Sequence, residues 1–154
     1  MRAAYLWLAR LISLLIVVQA MTITFAVAGL FHWITTGGGV VDDSVVKGWD
    51  QNPPTFEGAI GHYIHWMAGE RVFPALALLL LIVSFFAKVS KGVVIALVVF
   101  VLVILQTMSG LYADGMPYLG LWHGLNAFLI FGASMAAAMK AKAPAEAAAP
   151  APAA

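Results

Sequence analysis

Four runs of apolar residues, each long enough to cross a bilayer as helix, constrain this chain more than any other feature. Crossing about 30 Å of hydrocarbon takes roughly 20 helical residues, and residues 6–33, 57–87, 92–113 and 118–139 each supply that length. Only 10% of the 154 residues are charged and 63% are apolar, whereas soluble domains carry about 25% charged residues. The fold expected is all-α: one integral membrane domain over residues 1–142, an up-and-down four-helix bundle. Arg2 and Arg10 precede an apolar stretch as in a secretory leader, but that stretch is too long for one and shows no clear cleavage site.

Between the first two runs, residues 34–56 hold three consecutive glycines, a Pro pair and three aspartates, which predicts an irregular loop outside the bilayer. Residues 143–154 are Ala and Pro of low complexity, which predicts a disordered tail. Lys and Arg are retained on the cytoplasmic side. Arg2, Arg10, Lys88, Lys91, Lys140 and Lys142 fall on one side of a four-span chain, and Asp42, Asp43, Asp50, Glu57 and Asp114 on the other. Both termini are therefore expected in the cytoplasm, with the chain in a bacterial inner membrane. A net charge of +1 with no basic run excludes nucleic acid as a partner. The absence of cysteine excludes disulfides, iron–sulfur clusters, thiolate zinc sites and cysteine nucleophiles.

The same sidedness puts all four histidines, His32, His62, His65 and His123, near the outer face. A rotation of about 100° per residue places Gly58, Gly61, His62, His65 and Gly69 on one face of the second helix. Gly120, His123, Ala127 and Ser134 form a similar face on the fourth. Small residues beside an imidazole leave room for a flat macrocycle, although they also let membrane helices approach with no cofactor between them.

Depth separates the histidines. At about 1.5 Å per residue, His65 lies roughly 34 Å from Lys88, His62 roughly 39 Å from Lys88 and His123 roughly 26 Å from Lys140. His65 and His123 therefore match best, with His62 and His32 the less favoured ligands. Helices two and four are diagonal in such a bundle, roughly 12–14 Å apart when neighbours are 8–10 Å apart, which suits two axial imidazoles on one b-type haem. Gln106, Ser109 and Asn126 are candidate acceptors for the second imidazole N–H. Arg71 is a candidate partner for a haem propionate or for Glu70, an ion pair being the expected account of Glu70 and Arg71. Pro74 should kink the second helix and free a carbonyl near Glu70. Gln19 reads as an interhelical hydrogen-bonding group. Trp33, Trp49, Trp66 and Trp122 read as anchors at the outer boundary, and Trp7 at the inner one.

Leu105, Gln106, Gly110 and His123, within residues 102–134, match an L-Q-x-x-x-G run followed by a histidine early in the next helix. This stretch resembles the third and fourth helices of one half of heme A synthase. The chain without its tail and outer loop also resembles a family of small four-helix bacterial membrane proteins of unknown function. Those proteins carry a histidine near the start of helices two and four, the latter followed by a run like residues 126–132. The resemblance implies a retained haem-binding bundle. Heme A synthase has two such halves and a His-Arg pair in its catalytic half, whereas here there is one half and Trp66 follows His65.

The function expected is a membrane haem b protein, an electron-transfer or accessory subunit of a respiratory or redox complex, with other membrane proteins and the bilayer as partners. The alternatives are a non-redox structural or assembly subunit, and a metal-handling protein using His32, His62 and His65 with Asp42 or Glu57.

Overall fold

The structure is a computed structural model that describes residues 1–49 and 51–142. Asp50 and the 143–154 segment lie outside the described residues, and with them the expectation of a disordered tail. Four helices are long and apolar enough to cross a membrane: α1 (Arg2–Thr36), a combined helix over Ala59–Ser84, α5 (Gly92–Leu111) and α6 (Tyr118–Lys142). The combined helix is α3 (Ala59–Met67), one π turn over Ala68–Val72, and α4 (Phe73–Ser84). No strand occurs among the described residues.

Boundaries shift from the sequence expectation for local reasons. The second span begins at Ala59 because Gly58 takes a left-handed conformation, φ 98°, which turns the chain into the helix. It stops at Ser84, and Lys88 and Lys91 follow in left-handed conformations of φ 52° and 57° that form the tight turn into α5. The segment 34–56 is not wholly irregular, since α2 (Asp43–Gly48) forms within it. The Asp42 side chain caps α2 by accepting from the Ser44 and Val45 N–H groups, and Lys47 pairs with Asp43 one turn back.

The Ser44 hydroxyl and the two N–H groups favour the charged Asp42 carboxylate and hold its pKa below the ordinary carboxylate value. Because the folded value is the lower one, the cap stabilises α2 above the ordinary carboxylate range and is lost as pH falls through the depressed value. Amide exchange at Ser44 and Val45 should therefore accelerate on acidification below the usual carboxylate range, and Asp42→Asn should remove most of that dependence.

α1 packs along α6 and along α3 and α4, while α5 packs along α6 and α4. This leaves the Ala59–Ser84 helix and α6 at opposite corners. At one end of the bundle the Arg2 Nε donates to the Ala141 carbonyl at 2.8 Å and the Tyr5 hydroxyl to the Gly92 carbonyl at 3.0 Å. The starts of α1 and α5 and the end of α6 are thereby tied together, with Lys91, Lys140 and Lys142 around them.

The interior is narrow because it is built of small residues. Ala9, Ala77, Ala96 and Ala137 are fully buried beside Ile12, Leu80, Val99 and Ile130, as expected where helices associate by close packing in lipid. Large apolar side chains such as Val17, Phe25, Leu79, Leu97 and Leu129 point outward instead. A surface apolar on the outside is stable against hydrocarbon and unstable against water.

α1 meets α3 and the residues just before it backbone to backbone. A Cβ added to Gly29 would overlap the Glu57 carbonyl oxygen, and one added to Gly61 would overlap the Thr22 carbonyl oxygen. Backbone sits against backbone, so neither helix can give way by rotating a side chain. Gly61→Val is expected to destabilise the fold by about 1–3 kcal/mol, measured as unfolding in mixed micelles. Wild-type stability in that variant would contradict the contact.

The π turn follows from Pro74. Proline has no N–H to offer the Glu70 carbonyl and its ring crowds the preceding turn. The helix widens there, with the Phe73 N–H donating to the Ala68 carbonyl. The Thr107 hydroxyl on α5 donates to the Gly69 carbonyl at 3.0 Å, so a neighbouring helix satisfies part of the loosened backbone.

Candidate functional site

His65 on α3 and His123 on α6 reach toward each other from opposite corners. Their ring centroids are 6.0 Å apart and their planes are inclined by 57°. Each ring is held by a main-chain carbonyl on the helix next to its own. His65 Nδ1 lies 3.1 Å from the Gln19 carbonyl oxygen, and His123 Nδ1 lies 3.0 Å from that of Gln106. A carbonyl only accepts, so both Nδ1 atoms carry the hydrogen. In a neutral imidazole this leaves Nε2 with its lone pair available.

The glutamine side chains return the contact. Gln19 Nε2 donates to the His65 carbonyl at 2.9 Å and Gln106 Nε2 to the His123 carbonyl at 3.0 Å. The hydroxyl three residues on, Thr22 or Ser109, donates to the same glutamine carbonyl, at 3.0 Å in both cases. The α1–α3 pair and the α5–α6 pair are thus two copies of one clasp. They share the sequence pattern Gln19-Ala20-Met21-Thr22 and Gln106-Thr107-Met108-Ser109.

The candidate residues divide by position. Gln106 holds His123 through its carbonyl rather than through its side-chain oxygen, which instead accepts from Asn126 Nδ2 at 2.8 Å. Asn126 also donates to the Leu102 carbonyl at 2.8 Å, so it fixes Gln106 and makes no recorded bond to an imidazole. Ser109 Oγ lies 3.3 Å from His123 Nδ1, a second acceptor for the same N–H. Gly110 leaves the space that His123 fills, since a Cβ there would stand 3.0 Å from the ring's Cε1.

Other residues lie away from the pair. The guanidinium of Arg71 sits 5.7 Å over the Trp66 ring and is exposed. The expected Glu70–Arg71 ion pair does not form: the ion pair recorded among the described residues is Lys47–Asp43. Adjacent helical residues point about 100° apart, and Trp66 offers Arg71 a ring face instead. His62 packs against Trp49 with centroids 5.3 Å apart, in a cluster that continues through Phe56 to Trp33. His32 is exposed and contacts the Thr36 hydroxyl. No group of three or more His, Asp or Glu side chains placed to hold a metal occurs among the described residues. His32, His62 and His65 therefore do not assemble with Asp42 or Glu57 into such a group.

Sequence reasoning treated Gln19 as a general interhelical contact and did not connect it to His65. The repeated Gln-x-Met-(Thr/Ser) pattern was the available signal, because a Gln followed three residues later by a hydroxyl recurs on both helices that flank a histidine helix.

The donor set can be tested against a metal. With metal–nitrogen bonds of about 2.0–2.1 Å and each ring centroid about 1.1–1.2 Å behind its nitrogen, two imidazoles in line across one metal put their centroids about 6.4 Å apart, whereas two corners of a tetrahedron put them about 5.2 Å apart. The observed 6.0 Å is nearer the in-line value than the tetrahedral one. Two neutral imidazoles with oriented Nδ1–H groups also match the donor chemistry of a bis-histidine haem. Comparison with protein families, with curated proteins and with solved structures finds no match for this chain.

Proposed function

We propose that this chain is a bacterial inner-membrane haem b protein in which His65 and His123 would hold one haem iron. The single observation that carries the reading is the opposed imidazole pair, 6.0 Å between centroids, with both Nδ1–H groups committed to carbonyls. In this reading the bundle runs up and down, with both termini cytoplasmic. Arg2, Lys88, Lys91, Lys140 and Lys142 lie at the inner end.

The pair then lies toward the outer face. His123 is five residues from the start of α6 and nineteen from its end, about 8 Å and about 28 Å respectively. The bound haem would supply one-electron chemistry. The protein supplies orientation through Gln19 and Gln106. The other two histidines point into the loop end, so no second imidazole pair is available toward the inner face. Electrons are therefore exchanged near one surface, which suits an electron-transfer or accessory subunit of a respiratory or redox complex whose partner membrane proteins complete the path.

Purified protein is expected to show a Soret band, a reducible α band of b type and about one iron per chain. A colourless preparation would instead support the non-redox structural or assembly reading. Zinc or copper at about one per chain without porphyrin would favour a metal-handling role.

A further inference from the structure

The two histidine clasps share the glutamine, histidine and hydroxyl bonds described above; they differ in the Ser109 contact to His123 Nδ1 and in the residue three beyond each histidine. Three residues beyond His123 stands Asn126, fully buried. Its Nδ2 donates both hydrogens, one to the Leu102 carbonyl and one to Gln106 Oε1, each at 2.8 Å. In the other clasp Gln19 takes the part of Gln106, and Leu15, four residues before it, the part of Leu102. The residue three beyond His65 is Ala68.

A methyl group donates nothing. Gln19 is only 9% exposed, and its Oε1 is a buried acceptor with no hydrogen-bond partner. The amide cannot escape by flipping, because Nε2 is committed to the His65 carbonyl at 2.9 Å. A buried carbonyl without a donor is rare, and such groups are commonly met by an internal water; the other one among the described residues is Asn126 Oδ1 in the α5–α6 clasp.

We propose that one water molecule is bound beside Ala68, where the Asn126 amide nitrogen stands in the other clasp. It donates one hydrogen to Gln19 Oε1 and the other to the Leu15 carbonyl. Ala68 is half-buried and carries nothing beyond its Cβ, and the two acceptors match the two donors of a water. The water completes the hydrogen bonding of the glutamine that orients His65. It is therefore a built-in part of the site, independent of what the imidazoles bind.

The test uses the full chain. Ala68→Asn places an amide where the water is expected and keeps both acceptors bonded, so it should leave the folding equilibrium within about twofold of the wild type, whereas clear stabilisation would mean that the acceptor was unmet before. In a Gln19→Leu background, where one acceptor is gone, Ala68→Asn should shift the equilibrium toward the unfolded state by roughly fivefold. Ala68→Ile, which fills the space without a donor, should also shift the equilibrium toward the unfolded state. A high-resolution map of the wild type should show a water oxygen within hydrogen-bonding distance of both Gln19 Oε1 and the Leu15 carbonyl. An equal effect of Ala68→Asn with and without Gln19, or a map in which a lipid chain or packed side chain fills the position, would overturn the proposal. The map decides even if a variant does not fold.

Discussion

His65→Ala and His123→Ala are each expected to abolish the haem spectrum, while His32→Ala and His62→Ala leave it intact. The first two remove one of the two opposed donors 6.0 Å apart, and neither His62, packed on Trp49, nor His32, beside Thr36, is placed to replace it. The bundle itself should survive, because its alanine-lined interior lies on the basic side of the histidine pair and does not include it. Helical circular dichroism should therefore be unchanged in all four variants. If both His65→Ala and His123→Ala retain the wild-type Soret band, these residues are not the ligands.

Gln106→Leu and Gln19→Leu should each weaken haem retention by about 10–100-fold, the range seen when groups that orient a metal-binding histidine are removed. Neither substitution deletes the carbonyl that accepts from the imidazole. The loss comes from position, since the amide that fixes each histidine's backbone disappears. In Gln106→Leu one Asn126 hydrogen also loses its acceptor. The two variants provide an internal comparison. Gln106→Leu should be the more damaging, because Gln106 is held by Asn126 as well as holding His123, whereas Gln19 Oε1 has no protein partner. Haem loss to apomyoglobin measures the difference, and wild-type retention in both variants would show that the clasps do not position the rings.

Much of the architecture can be read from residue pattern alone. A run such as residues 92–113 has no polar side chain before Gln106, and it forms a helix long and apolar enough to cross a membrane. The count that favours His65 over His62 rests on a nearly constant helical rise, and the structure brings the His65 ring, not that of His62, to 6.0 Å from His123. Loop structure was less legible. α2 is six residues long and depends on one Asp42 cap, a local feature that the glycines and prolines around it obscure.

Partner choice was the least legible. Whether Arg71 meets Glu70 or Trp66 depends on how the π turn rotates the helix, and that rotation is set by Pro74 together with Thr107 on another helix. The role of Gln19 was hidden for a similar reason. Its partner lies 46 residues away, and no local periodicity encodes an interhelical register. Asn126 was placed on the correct helix but given the wrong partner, because a side chain three residues from an imidazole can equally brace the residue that holds it.

Electron paramagnetic resonance of the oxidised, haem-loaded protein examines the ligand pair most directly. Two strong-field imidazoles predict a low-spin ferric signal that turns high-spin, or disappears with the haem, in His65→Ala and in His123→Ala. A wild-type signal that is high-spin from the outset, or a protein that takes up no haem at all, would contradict it.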